Sequence, residues 1–262
     1  MFIIGELING MYNRVRYAIR DKDKSVIQSI ACEQAEAGVD ALDINCGPLS
    51  KDAAGDMRWL IECVQEVTDK PLSLDSSKPE VIEAGLRVAR NECIINSTTA
   101  DAEKLDRLVP LAVEHNARLI GIAISSGGIP RNREQRVELA AVIVADCLEK
   151  GLGVERLFLD PIVLPVKVAQ SQMGDILETI RDFKIIADPA PLTLIGLSNV
   201  SQGAQNRRLL NRVFLSLAQA YGLDAAILDP CDRDLVDELI TGELFRNKQI
   251  YCDSFLDAYR KR

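Results

Sequence analysis

Histidine is almost missing from this chain, with one residue, His115, among 262. That scarcity excludes a His-rich metal centre and any nucleophile relay built on an imidazole base. Aromatic residues make up only 5% and include a single Trp, so the ring platforms that accompany carbohydrate sites are scarce. Cysteine is present seven times, an odd number with no C-x-x-C spacing. That usage suits a reducing compartment better than a disulfide framework. There is no basic excess: 31 Lys and Arg face 39 Asp and Glu, for a formal net charge of −8. Nucleic-acid phosphates demand clustered cations, so the balance argues against such a partner. Apolar runs such as residues 139–144 fall far short of the ~18–20 residues of a membrane span. The first nine residues are apolar but carry Glu6 and no basic lead-in, unlike a signal peptide. The expectation is a cytoplasmic globular protein that binds neither nucleic acid nor membrane.

What the chain does contain is a repeat. Short apolar runs occur at residues 2–5, 41–44, 72–74, 93–95, 119–124, 156–159, 193–197 and 225–228. Continuous apolar runs bounded by turn residues predict strands buried on both faces, as in a parallel sheet. Amphipathic stretches fill the gaps at residues 25–37, 52–67, 133–149, 166–180, 204–221 and 232–245. Pro79 predicts a helix start, and Asp101 predicts a side-chain cap for a helix through residue 114, close to which His115 falls. In the 133–149 stretch, Val137, Ala140, Ala141, Val144, Ala145 and Leu148 form the predicted buried face, and Gly151 ends the helix. Eight β-α units in about 250 residues fit a single α/β domain, a (β/α)8 TIM barrel over residues 1–262. A doubly wound open sheet also alternates strands and helices. Its Gly-rich phosphate loop should follow a strand, whereas Gly151-Leu152-Gly153 precedes one.

The strand ends carry the chemistry. In order they run into Glu6 and Asn9, Asp43 and Asn45, Asp75, Asn96, Ser125, Asp160, Asn199 and Asp229. In a barrel these positions converge on the C-terminal mouth, where substrates bind. Singly, each is equally a cap punctuating a strand-to-helix turn. Together they predict a ring of acids and amides with no cation, apart from Arg207 and Arg208 just past the seventh strand. Such a ring suits a ligand rich in N–H donors, such as a 2-amino-4-oxo heterocycle, because a carboxylate accepts two adjacent N–H groups in charge-assisted bonds. Asn adds a donor and an acceptor together. A pair of facing carboxylates would also serve a glycosidase, and acidic residues could hold a divalent ion, but no spacing singles out a ligand set.

Three stretches carry a resemblance: Gly5-Glu6-Leu7-Ile8-Asn9-Gly10, Ala41-Leu42-Asp43-Ile44-Asn45-Cys46-Gly47 and Gly196-Leu197-Ser198-Asn199-Val200-Ser201. With Leu74-Asp75-Ser76 and Ile95-Asn96-Ser97, they resemble the pterin-binding barrel family. That family includes dihydropteroate synthases, the folate domain of cobalamin-dependent methionine synthase, and methyltetrahydrofolate:corrinoid protein methyltransferases. The likeness to the last group runs end to end, through Leu159-Asp160-Pro161, Ala187-Asp188-Pro189-Ala190-Pro191 and Tyr251-Cys252-Asp253-Ser254-Phe255.

The resemblance implies that Asp75, Asn96 and Asp160 hold the pterin and that Asn199 sits near its N5 atom. Gly196 and Ser198 form the wall contributed by the seventh strand, and Gln202 and Arg207 reach the outer folate. It implies a substrate, tetrahydrofolate or 5-methyltetrahydrofolate, and a cobalamin carried by a separate partner: a corrinoid iron–sulfur protein or related methyl shuttle. It also implies a homodimer, no resident metal, and use in acetogenesis or O-demethylation, which run the transfer in opposite directions. Leu7 departs from the basic residue that many members carry after the first-strand Glu, leaving the role of Glu6 open. A non-catalytic folate-binding or corrinoid-docking module would keep the same pocket. A dihydropteroate synthase-like activity is disfavoured, because its diphosphate substrate needs cations that the ring lacks.

Overall fold

A computed structural model describes residues 1–260. Eight parallel strands close into one barrel in sequential order: β1 Phe2–Asn9, β2 Ala41–Asn45, β3 Leu72–Asp75, β4 Cys93–Thr98, β5 Arg118–Ile122, β6 Leu157–Asp160, β7 Leu192–Gly196 and β8 Ala225–Leu228. The expected TIM barrel is therefore what forms. The alternation along each strand explains the layering, because residues two apart share a face. Ile4, Ala41, Ile94, Ile120, Phe158, Leu194 and Ala225 pack together inside the barrel. Their outward neighbours, such as Ile3, Leu42, Ile95, Leu119 and Leu159, join the core beneath the helices. One step further along the inward face, apolar residues give way to Glu6, Asp43, Asp75, Asn96 and Asp160. The mouth is thus a polar layer resting on a sealed apolar one.

The helices depart from expectation in four informative places. A helix at Asn13–Asp21 precedes the expected second one at Lys24–Glu36. It buries only Val15, Ala18 and Ile19 and has no side-chain cap, so its sequence signal is weak. The expected continuous helix over 166–180 breaks into Val166–Ala169, a 3-10 turn at Gln170–Gln172 and a helix at Met173–Phe183. Asp101 stands at the N-cap of Ala102–Glu114 without capping it. Its carboxylate instead accepts from the Thr99 hydroxyl and the Ser126 amide, both at 2.7 Å.

The helix Arg133–Glu149 keeps its expected bounds but presents a rotated face. Arg136, Ala140, Ile143, Val144 and Cys147 are buried, whereas Ala141, Ala145 and Leu148 are exposed. The reason is Arg136, a charged residue that occupies the core side. Gly151, at φ +87°, follows the helix in the left-handed region that favours glycine.

Candidate active site at the barrel mouth

On the β2–β3–β4 side of the mouth, acids and amides hold one another. The Asp43 Oδ1 accepts from the Ser73 hydroxyl at 2.6 Å and from Asn96 Nδ2 at 3.0 Å. Asn96 thereby commits its NH2 group inward and leaves its carbonyl oxygen as the group offered to a ligand. Next to it in register, Asp75 accepts from Asn45 Nδ2 at 2.5 Å, and Asn45 Oδ1 takes the Gly47 amide at 2.6 Å. Among the described residues no cation bonds to this cluster. Burial, then the neighbouring Asp75 charge, lifts the Asp43 carboxyl well above the usual carboxylate range, against the two hydrogen bonds. Asp75 is raised by burial too, with the Asn45 bond opposing.

Asp160 stands apart at the end of β6, opposite Ile122 in register. The only donor to its carboxylate among the described residues is the Ile162 amide, at 2.7 Å. Burial pushes its carboxyl up to about 7, with that single bond opposing. Beneath this turn lies Arg136, fully buried. Its guanidinium donates to the Pro161 carbonyl at 3.0 Å, the Asn132 carbonyl at 3.1 Å and the Gln172 Oε1 at 2.7 Å. The broken helix after β6 now has a reason: the 3-10 turn delivers Gln172 to Arg136. A planar fork of donors fits three fixed acceptors, and Arg136 thus braces the Asp160-Pro161-Ile162 turn from below.

The β7–β8–β1 side is more open. Beyond β7 a 3-10 turn at Leu197–Asn199 leaves Asn199 exposed at the rim. A Cβ at Gly196 would lie 2.9 Å from Asn199 Nδ2, so a side chain there would push the carboxamide aside. The Ser198 hydroxyl donates to Glu6 Oε1 at 2.7 Å. Arg207 begins the helix Arg207–Ala220, where it donates to the Ser201 hydroxyl at 3.2 Å and the Ser198 carbonyl at 3.4 Å. Gln202 is exposed, tied only through its backbone amide to the Asn199 carbonyl at 3.2 Å. Arg208 turns toward Asp232, at 3.7 Å.

The fold therefore brings Asp75 and Asn96 side by side and places Asp160, Gly196, Ser198 and Asn199 on the same barrel end. Gln202 and Arg207 lie on the outer rim. Ser125, expected at the end of the fifth strand, lies beyond β5 in a loop where it bridges Gly128. Sequence reasoning missed Ser73 and Arg136, since a small hydroxyl inside a strand and a charge inside a helix both look unremarkable. His115 closes the helix Ala102–Glu114. Among the described residues no group of three or more His, Cys, Asp or Glu is arranged to hold a metal ion, and no helix is long and apolar enough to cross a membrane.

Comparison with known proteins agrees with this geometry. The model of the pterin binding enzyme family matches residues 13–229. The whole chain aligns with 97% of the methylcorrinoid:tetrahydrofolate methyltransferase of Eubacterium limosum at 29% identity. The methionine synthase of Mycobacterium leprae is also 29% identical, over 87% of this chain but only 20% of that longer protein. Among solved structures, a Yersinia pestis DHPS with a pterine-sulfa conjugate superposes with a TM-score of 0.68, covering 94% of both chains at 14% identity. The dihydropteroate synthase of Thermus thermophilus superposes at 0.63, covering 90% of this chain and 92% of that one at 19% identity. At those identities the structures speak for the fold alone.

Proposed function

The chain belongs to the pterin binding enzyme family, and from that premise we propose that it transfers a methyl group between N5 of tetrahydrofolate and the cobalt of a corrinoid carried by a separate protein. One observation carries the proposal: acceptors on three strands, held by their own bonding partners, share the barrel mouth with an exposed carboxamide on the turn after β7. The donor set fits a pterin. Asp160 accepts two adjacent N–H groups of the 2-amino-4-oxo edge, and Asp75 and the Asn96 carbonyl accept from the remaining ring N–H groups. Arg207, free of any carboxylate partner among the described residues, meets the glutamate end of the folate, with Gln202 beside it. The wall toward N5 is Gly196 and Ser198.

The chemistry left to the chain is small. A corrinoid in its reduced state supplies the nucleophile when its carrier docks. The N5–methyl bond breaks with its electron pair passing to N5, which leaves well only when protonated. The proton comes from solvent, and Asn199 accepts a hydrogen bond from the N5–H⁺ it creates, so the amide stabilises the protonated path to the transition state more than the unprotonated ground state. A neutral amide serves transfer in either direction. The rest of the ring holds the pterin in line for displacement. No side chain needs to act as a nucleophile in this reading. Cys46, at the end of β2, is buried and its thiol is pushed up by burial.

Support for the corrinoid partner is the full-length likeness to the Eubacterium limosum enzyme. A homodimer fits the stripe of Leu209, Val213 and Leu217, exposed along one face of the helix Arg207–Ala220. The deciding experiment mixes the protein, 5-methyltetrahydrofolate and cob(I)alamin, and follows the cobalt absorbance. Enzyme-dependent conversion to methylcobalamin is the expected result. Folate binding without conversion would overturn the enzymatic reading in favour of a binding module.

A further inference from the structure

The role of Glu6, which its sequence context leaves open, is set by an irregularity in β1. Gly5 pairs with Leu42 and Ile8 with Ile44, so Glu6 and Leu7 together stand opposite the single Asp43. That is a β-bulge, a device that re-aims a side chain beside a site. The bulge is built in, not tolerated. The Leu7 amide, displaced from the strand ladder, donates at 3.0 Å to Oε1 of Gln34, a fully buried side chain on the helix Lys24–Glu36. Gly5 makes room for that contact, because a Cβ there would sit 2.4 Å from the same oxygen.

The bulge delivers Glu6 past β8 to the turn that follows β7. Its carboxylate grips the Ser198 hydroxyl, while Arg207 grips the Ser198 carbonyl. Ser198 is the middle residue of the turn Leu197–Asn199 and the neighbour of the proposed catalytic amide. Asn199 itself is exposed, so its direction is inherited from the turn.

We infer that Glu6 is a positioning residue: through the Ser198 hydroxyl it fixes the turn that aims the Asn199 carboxamide at N5. The inference rests on the methyl-transfer reading above. What the role needs is an acceptor oxygen, not a charge. The Glu6 carboxyl is raised by burial and by Asp229, with the Ser198 bond and Arg207 opposing, which fits a group selected for its geometry.

The test is single-turnover transfer from saturating 5-methyltetrahydrofolate to cob(I)alamin, with folate binding measured separately, for the full-length protein and for Glu6→Ala, Glu6→Gln and Ser198→Ala. Misplacing a catalytic group by about 1 Å costs up to about 100-fold, so Glu6→Ala and Ser198→Ala are expected to slow transfer about 10- to 100-fold. The binding constant of Glu6→Ala should stay close to that of the unaltered chain. The double variant should be no slower than either single one, since both remove the same bond. Glu6→Gln, which keeps the acceptor oxygen, should restore most of the rate. An unchanged rate in Glu6→Ala, or a Glu6→Gln variant as slow as Glu6→Ala, would overturn the inference; the latter would indicate a role for charge or proton transfer.

A second readout does not depend on activity. The Val200 amide donates to Leu197 and the Gln202 amide to Asn199. Hydrogen exchange at both should accelerate in Glu6→Ala and not in Glu6→Gln. If the unaltered protein transfers no methyl group, the functional reading falls and this exchange pattern still decides whether Glu6 holds the turn. Unaltered exchange in Glu6→Ala would overturn it.

Discussion

The two sides of the barrel mouth are built on opposite plans. From β2 to β4, every functional group is tied to another: Ser73 and Asn96 to Asp43, and Asn45 to Asp75. From β7 round to β1, the group proposed to act, Asn199, is exposed and is held only through its turn. A cross-braced wall fixes acceptors in space and suits recognition of a rigid ring. An amide on a short turn can meet a charge that appears only as the reaction proceeds. On the proposed reading, the β2–β4 side holds the heterocycle and the turn after β7 acts on N5.

The sharpest way to break that division is Asn199→Ala. Removing one donor or acceptor aimed at developing charge costs about 10²–10³-fold in kcat, and KM for 5-methyltetrahydrofolate should move only a few fold. Steady-state and single-turnover kinetics check both. Asp75→Ala should do the converse: a lost hydrogen bond to a charged group is worth about 1.5–3 kcal/mol, or about 10- to 100-fold in KM, with kcat nearly kept. If both variants altered the same constant, the division would be wrong.

Arg136 tests whether the bracing extends below the mouth. Arg136→Met leaves the Pro161 and Asn132 carbonyls and the Gln172 amide without their donor, a loss of about 2–3 kcal/mol measurable by urea unfolding. Arg136→Lys should not rescue it fully, because an ammonium lacks the planar fork.

The smallest effect concerns Asp160. Its carboxyl takes up a proton near pH 7 when folded and near ~3.9 when unfolded. Between those values the folded chain holds a proton that the unfolded chain has lost. The stability tied to that proton is complete below about pH 4 and is lost as pH rises through 7. Asp160→Asn keeps an acceptor for the Ile162 amide and cannot ionise. It should therefore raise the melting temperature at pH 8, and the gain should shrink toward pH 4. A gain independent of pH would remove the buried carboxyl from the account.

The barrel was legible because eight apolar runs of strand length alternate with amphipathic helices, and burial on both faces leaves few other arrangements. The ligand-facing tier was legible for a related reason: Asp and Asn at strand ends stand out against the apolar runs they terminate. The second tier was not. Ser73 lies one residue beyond Leu72 inside a strand, and only the closure of the barrel sets it beside Asp43. Glu6 and Ser198 are 192 positions apart, a separation across which no periodicity speaks. The bulge that joins them depends on Gln34, which resembles any polar residue of an exposed helix until its burial is known. Arg136 misled in the opposite sense: charge predicts surface, and here backbone carbonyls take the place of water. The helix break at Ala169 belongs to the same misreading, since it serves a residue whose burial the sequence does not announce.

The cation-free carboxyls of the mouth have a consequence for the molecule as a whole. Burial raises the Asp43, Asp75 and Asp160 carboxyls, that of Asp160 to about 7. Near neutral pH Asp160 therefore holds part of a proton, and the protein carries slightly less negative charge than the formal −8. A heterocycle that presents N–H donors to Asp160 favours its ionised form and sends that proton into solution. Filling the mouth thus makes the protein more acidic. The heat of binding would then change with the ionisation enthalpy of the buffer, and the loaded protein would migrate faster toward the anode than the empty one.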